Sequence, residues 1–368
     1  MKKFLFFIIF MLTFSLPVYA ADDVYSNAYE SIGGNYLGQS LDQNVKDFLN
    51  QNGINPSDYN WVNKLTDKTV FSHIIAFFTG GIKKPLNTGV TVMGVILITA
   101  ALTSFGGAQH TTTAIYAATL AVAALIAGDI WQSVSAAVNA VKGSSSFMLS
   151  FVPVFASTVA LSGKTVTAAS MSALLLTATE IVAFISSFTI LPLMGGYLAL
   201  SISTGVSPLL NNSGLAESIK KISMWILSLL GTLFIGILSI QTAVNSAADS
   251  VTLRTAKFIL GTSVPVAGGV LSEAVSTVSA SMGLLRSSVG IYGVVALLVI
   301  LLPILIELII WRCVLFVVSA LSELFCLSKI TAILKAVDAM FSVLVGVVLL
   351  VGAMFIISLT VVVTATKT

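Results

Sequence analysis

The chain is short of charge. Of its 368 residues, 9% are Asp, Glu, Lys or Arg, against about 25% in a soluble domain. With 57% apolar residues and a mean hydropathy of +1.01, it lacks the polar side chains to cover a surface facing water. Its solvent is therefore a bilayer, where backbone groups must be satisfied internally. Short alternating strands are absent too, so a membrane barrel is excluded. Long continuous apolar runs remain, and they read as an all-α, polytopic helical membrane protein. The net charge of +3 points to no nucleic-acid partner.

Reactive residues are equally scarce. The two cysteines, Cys313 and Cys326, lie in apolar surroundings with no metal-ligand spacing, and they read as buried, inert thiols. His73 and His110 have no Cys, Asp or Glu at ligand spacing. There is no HExxH, no Walker loop and no Gly-x-Ser-x-Gly. No catalytic, metal or cofactor site is expected, and the chain does not read as an enzyme.

The first twenty residues have the three parts of a secretory signal. Lys2 and Lys3 precede the apolar Phe4–Leu16, Pro17 breaks the helix, and Val18-Tyr19-Ala20 offers small residues at a cut. The apolar core is short for a span, which needs ~20 residues. Cleavage after Ala20 is expected, with an uncleaved signal anchor as the alternative. Residues 21–70 hold seven acids and three lysines, with turn signals at Gly33-Gly34 and Asn52-Gly53. They read as a small extracytoplasmic helical domain, too small for a sizeable core of its own. Residues 71–88, with Phe71, Ile74, Ile75, Phe77 and Phe78 before Lys83-Lys84-Pro85, read as an interfacial amphipathic segment. A polytopic domain fills 89–368.

Within that domain the apolar segments are 89–105, 114–140, a short 147–161 with Pro153 that reads as re-entrant, 168–190, 191–204 broken by Pro192, 222–244, 290–327 and 339–364. The stretch 290–327 is too long for one perpendicular crossing, and Pro303 should bend or divide it. Five to seven true crossings are expected. The loop lysines do not alternate cleanly between two sides, so they leave the orientation of most loops open.

Three acids, Asp129, Glu180 and Glu307, sit well inside hydrophobic segments. A central charge costs about 2.5–3.5 kcal/mol to insert. Such buried acids either serve an ion or proton site or lock helices together. Glu307 and Arg312, five apart, are poorly placed to pair on one helix.

The stretch from Asn245 to Gly293 is polar and rich in small residues, and it lies between membrane helices. Gly261–Gly269, with Pro265 in its middle, cannot be regular helix. Beyond it Ser272, Ser276, Ala280, Gly283 and Ser287 recur at helical spacing. That stripe suits a close helix–helix seam or the lining of an aqueous path.

Residues 254–293, RTAKFILGTSVPVAGGVLSEAVSTVSASMGLLRSSVGIYG, resemble the signature region of the stage III sporulation protein AE family of endospore-forming bacteria. The matching positions are Arg254, Thr255, Lys257, Phe258, Pro265, Val266, Gly268, Gly269, Ser272, Glu273, Ala274, Val289, Gly290 and Gly293. The family more often has Asp at Glu273 and Lys at Arg286, and both changes keep the charge. The resemblance implies a subunit of a multi-protein channel or feeding-tube complex, built with other membrane proteins of the same operon. It would sit in the mother-cell membrane facing the forespore and be needed for late forespore gene expression. A homo- or hetero-oligomer is expected. The residues alone leave a second reading open: a self-contained transporter using Asp129, Glu180 and Glu307.

Overall fold

The computed structural model describes residues 22–57, 61–64, 67–105, 108–185, 189, 191–206, 213–263 and 268–364. The signal segment 1–20 lies outside the described residues, as do the side chains of His73 and His110. The described part is helical, with no strand among it. In chain order α1 is Asp22–Ser31, α2 Gln43–Gln51, α3 Trp61–Lys64, α4 Asp67–Phe105, α5 Ala108–Leu161, α6 Thr165–Phe184, α7 Leu191–Val206, α8 Ser213–Ser263, α9 Gly268–Leu324 and α10 Ser328–Thr364. Among the described residues six stretches are long and apolar enough to cross a membrane: Gly81–Phe105, Thr111–Leu161, Thr165–Val182, Glu217–Asp249, Met282–Leu324 and Ser328–Val361. The chain is an all-α polytopic membrane protein.

Helix lengths differ from the sequence reading. Segment 71–88 and the apolar segment 89–105 lie on one helix, since α4 runs for 39 residues through Pro85. Segments 114–140 and 147–161 are one helix, the 54-residue α5. The polar run between them does not break it, and hydroxyls in and just beyond it turn back on their own helix. Ser144 donates to the Ala140 carbonyl at 2.7 Å and Ser150 to that of Phe147 at 3.0 Å. Pro303 divides nothing either: α9 runs 57 residues through it. Prolines are tolerated in membrane helices because neighbouring elements satisfy the freed carbonyls.

The N-terminal helices pack Tyr25, Tyr29, Leu37, Leu41, Leu49 and Trp61 into a small buried cluster. Asp42 caps α2, its carboxylate accepting from the Gln43 N–H at 3.1 Å. Gly33 (φ 75) and Gly53 (φ 63) make the left-handed turns that end the short helices. Tyr25 donates to the Pro56 carbonyl at 2.7 Å and Tyr29 to that of Gly34 at 2.8 Å. The cluster does not close on itself. The Trp61 indole N–H donates to Ser288 Oγ of α9 at 3.0 Å, and Ser40 bonds Ser150 of α5.

The interior is built around α9, which packs on α4, α5 and α10. A ladder of rings on α5, Phe147, Phe151 and Phe155, stacks at 5.1 and 5.5 Å. Trp311 of α9 stacks on Phe341 of α10 at 5.7 Å. Two glycines let α9 approach these rings. A Cβ at Gly293 would lie 2.8 Å from Phe151 Cε1, and one at Gly290 would collide with Val363 of α10 and stand 3.2 Å from Phe155. The cysteines depart from expectation, since both are exposed. Cys326 sits with φ 56 in the tight α9–α10 turn.

Two outcomes follow from this packing. Gly293→Ala overpacks the Phe151 ring and should cost about 1–3 kcal/mol, read as a lower melting temperature of the detergent-solubilised protein. Gly283→Ala, whose Cβ would meet nothing within 4 Å, should melt like the parent. Burial, and then the charges of Tyr292 and Tyr25, raise the Tyr29 phenol above its ordinary 10.0. A raised phenol contributes stability that is complete below about pH 10 and is lost as pH rises further. Alkaline titration followed by the fluorescence of Trp61 should therefore loosen the N-terminal cluster above pH ~10, and Tyr29→Phe should flatten that loss.

Candidate functional site

The polar side chains of the bundle gather in two layers. The first lies at the α5–α6 turn. Gly163 (φ 86) lets the chain reverse there, leaving the first N–H groups of α6 unpaired by their own helix. A side chain from far along the sequence takes them. Asp249 of α8, 2% exposed, accepts from the Val166 N–H at 3.0 Å, the Thr167 N–H at 3.2 Å and the Thr167 hydroxyl. The carboxylate thus caps α6 from outside it and meets the positive end of the helix dipole.

Arg286 of α9 reaches the same turn, 5% exposed, with Nη1 donating to Ser162 Oγ at 3.2 Å. Its Nε has no partner among the described residues. Lys164 completes the group. Burial first, and then the nearby Arg286 charge, lower its ammonium below the ordinary lysine range, while Asp249 opposes them. Ser288, which holds Trp61, follows Arg286 by two residues, and Gly290 and Gly293 form the crossings just beyond.

The second layer crosses the bundle at mid-height. Lys84 of α4 pairs with Asp129 of α5 at 3.0 Å and also bonds Gln132, while Thr88 donates to the same carboxylate. One turn along α5, Ser133 donates to Glu307 of α9 at 2.7 Å. Arg312 of α9 pairs with Asp338 of α10 at 2.9 Å. Arg312 therefore has its acid on the neighbouring helix, not in Glu307. Arg286 and Glu307 stand ~31 Å apart along α9.

The three acids singled out from sequence are not buried. Asp129 and Glu307 are half-buried and Glu180 is exposed. The cause is position: each lies at or beyond the edge of the packed interior, and the first two are held by cross-helix donors. Among the described residues no three His, Cys, Asp or Glu side chains converge on one point.

Of the signature positions, Arg286, Gly290 and Gly293 come together at the α5–α6 turn and the Phe151/Phe155 crossings. Gly268 and Gly269 open α9, and Ser272 and Glu273 follow in it. Arg254 and Lys257 lie on α8. The side chains of these four, and all of Pro265, lie outside the described residues. In the small-residue stripe Gly283 and Ser287 are half-buried. Sequence reasoning passed over Asp249, Ser162, Lys164 and Asp338. The available signal was a lone Asp in a run of small residues, together with a Ser-Gly turn between apolar segments.

A family model described as stage III sporulation protein AE matches residues 57–366. The stage III sporulation protein AE of Bacillus subtilis (strain 168) is 30% identical over 237 residues, 63% of this chain and 58% of that protein. The match thus spans less than two thirds of that relative. No solved structure matches the chain.

Asp249→Ala leaves buried amide donors at the start of α6 without an acceptor, at a cost of about 1–3 kcal/mol. Hydrogen exchange should speed up first at Val166 and Thr167, ahead of the rest of α6.

Proposed function

The chain belongs to the stage III sporulation protein AE family, and on that premise we propose that it is a membrane subunit of a multi-protein channel linking mother cell and forespore. In this reading it sits in the mother-cell membrane facing the forespore, assembles with other membrane proteins of its operon, and is required for late forespore gene expression.

One observation carries the proposal beyond the family: the helices expose more apolar surface than one bilayer covers. α5 runs 54 residues, about 81 Å, against a hydrocarbon core of ~30 Å. Large apolar side chains are exposed on both sides of the Lys84–Asp129 layer. Leu97, Ile98, Leu102 and Phe105 lie on one side, and Leu149 and Leu161 on the other. A single membrane wets one set, and the other is surface for protein contact. The transporter reading gains no comparable support, since Asp129 is tied up with Lys84 and the three acids do not converge.

Affinity purification from sporulating cells in mild detergent tests the proposal. Other membrane proteins should co-purify in fixed ratio, and Leu102→Ser with Phe105→Ser should lose them while the protein still accumulates. A lone monomer, together with normal late forespore transcription in a deletion strain, overturns it.

A further inference from the structure

The polar, small-residue stretch between the last spans has a place in the fold that its composition alone does not give. Both of its ends are fixed on one turn. Asp249 binds Val166 and Thr167, and Arg286 binds Ser162. The feet therefore stand on residues at most five apart in sequence. From the first foot α8 continues without a break to Ser263, and into the second α9 arrives unbroken from Gly268. Four residues join the two tops.

The height of the feet relative to the membrane follows from α9. Between Arg286 and Glu307 the chain carries no charge from Ser287 to Ile306, a run of about 30 Å of helix. That equals the hydrocarbon thickness of a bilayer. Taken as the lipid-spanning stretch, that run puts Arg286 and Asp249 at one boundary and the Glu307 layer at the other. Above that boundary rise about 21 Å of helix from Ser250 to Ser263 and about 27 Å from Gly268 to Leu285. The composition changes at the same point. The stretch outside carries Arg254, Lys257 and Glu273 with many serines and threonines, whereas Ser287–Ile306 is almost wholly apolar.

We infer that the two helical stretches 250–263 and 268–285 form a prong standing in water on the side of the membrane that holds the N-terminal domain, anchored at its base by Asp249 and Arg286. The side is fixed by the Trp61 bond to Ser288, two residues from the foot. The family signature is then mainly an extramembrane element. The inference does not rest on the channel reading, and its failure would leave that reading standing.

Single cysteines in a Cys313→Ser, Cys326→Ser chain test it, with a membrane-impermeant maleimide applied to sealed vesicles of either orientation. Ser272→Cys and Ser276→Cys should label from the same side as Ser31→Cys in the N-terminal domain. Val299→Cys, inside the span, should lose the label, and Cys326 restored alone should label from the opposite side. Silence at 272 and 276 matching Val299→Cys, or labelling from the Cys326 side, overturns the prong. The anchor has its own readout: Asp249→Asn should speed tryptic cleavage at Arg254 and Lys257. An unchanged cleavage rate refutes the anchoring role.

Discussion

A hydroxyl or carboxylate between membrane helices has no water to turn to, so its partner must be protein. Most hydroxyls of this bundle find one a turn back on their own helix. Thr99, Thr119, Thr179, Ser223 and Ser358 all donate to the carbonyl four residues before them. Such bonds satisfy the side chain and leave the outer face of the helix apolar. Where polar groups reach across helices instead, they collect in layers. Thr88 and Ser133 join the acids at mid-height, and Ser162, Thr167 and Ser288 bind Arg286, Asp249 and Trp61 at the α5–α6 turn. Those layers set the height of the bundle relative to lipid, and the packing between them is apolar.

That packing turns on close approach. α9 presents Gly290 and Gly293 to the rings of Phe151 and Phe155, so backbone meets aromatic face with no side chain between. Without a hydrophobic drive between helices in lipid, shape fit of this kind carries the association. The α9 crossings lie one and two turns from Arg286, so the ionic foot and the tight seam fix the same stretch of helix.

Fold class was legible from composition alone, because few charges and long apolar runs permit little else. Helix lengths were not. Pro153 and Pro303 read as a re-entrant turn and a bend or division, yet each lies inside a continuous helix, since a missing N–H is tolerated where neighbours enclose the turn. Segments 114–140 and 147–161 read as separate, yet α5 runs through the residues between them. The acids were found, but their partners were not: Lys84 is 45 residues from Asp129, and no spacing rule joins them. Asp249 escaped for the same reason, because a cap supplied from another helix leaves no local pattern. Arg286, Gly290 and Gly293 were legible through family likeness, and only the fold supplies the contacts they make.

The bond from Trp61 to Ser288 spans 227 positions of sequence, and that distance governs biogenesis. The N-terminal helices leave the ribosome first, but their seat on α9 is made only after four candidate spans have been synthesised. Contacts this remote are slow to form because a long loop must close before they are rewarded. During that interval the face around Tyr25, Leu37 and Trp61 stands open, a binding surface in search of its site. The first-made helices of the molecule thus take their seat only once the chain has been made as far as α9.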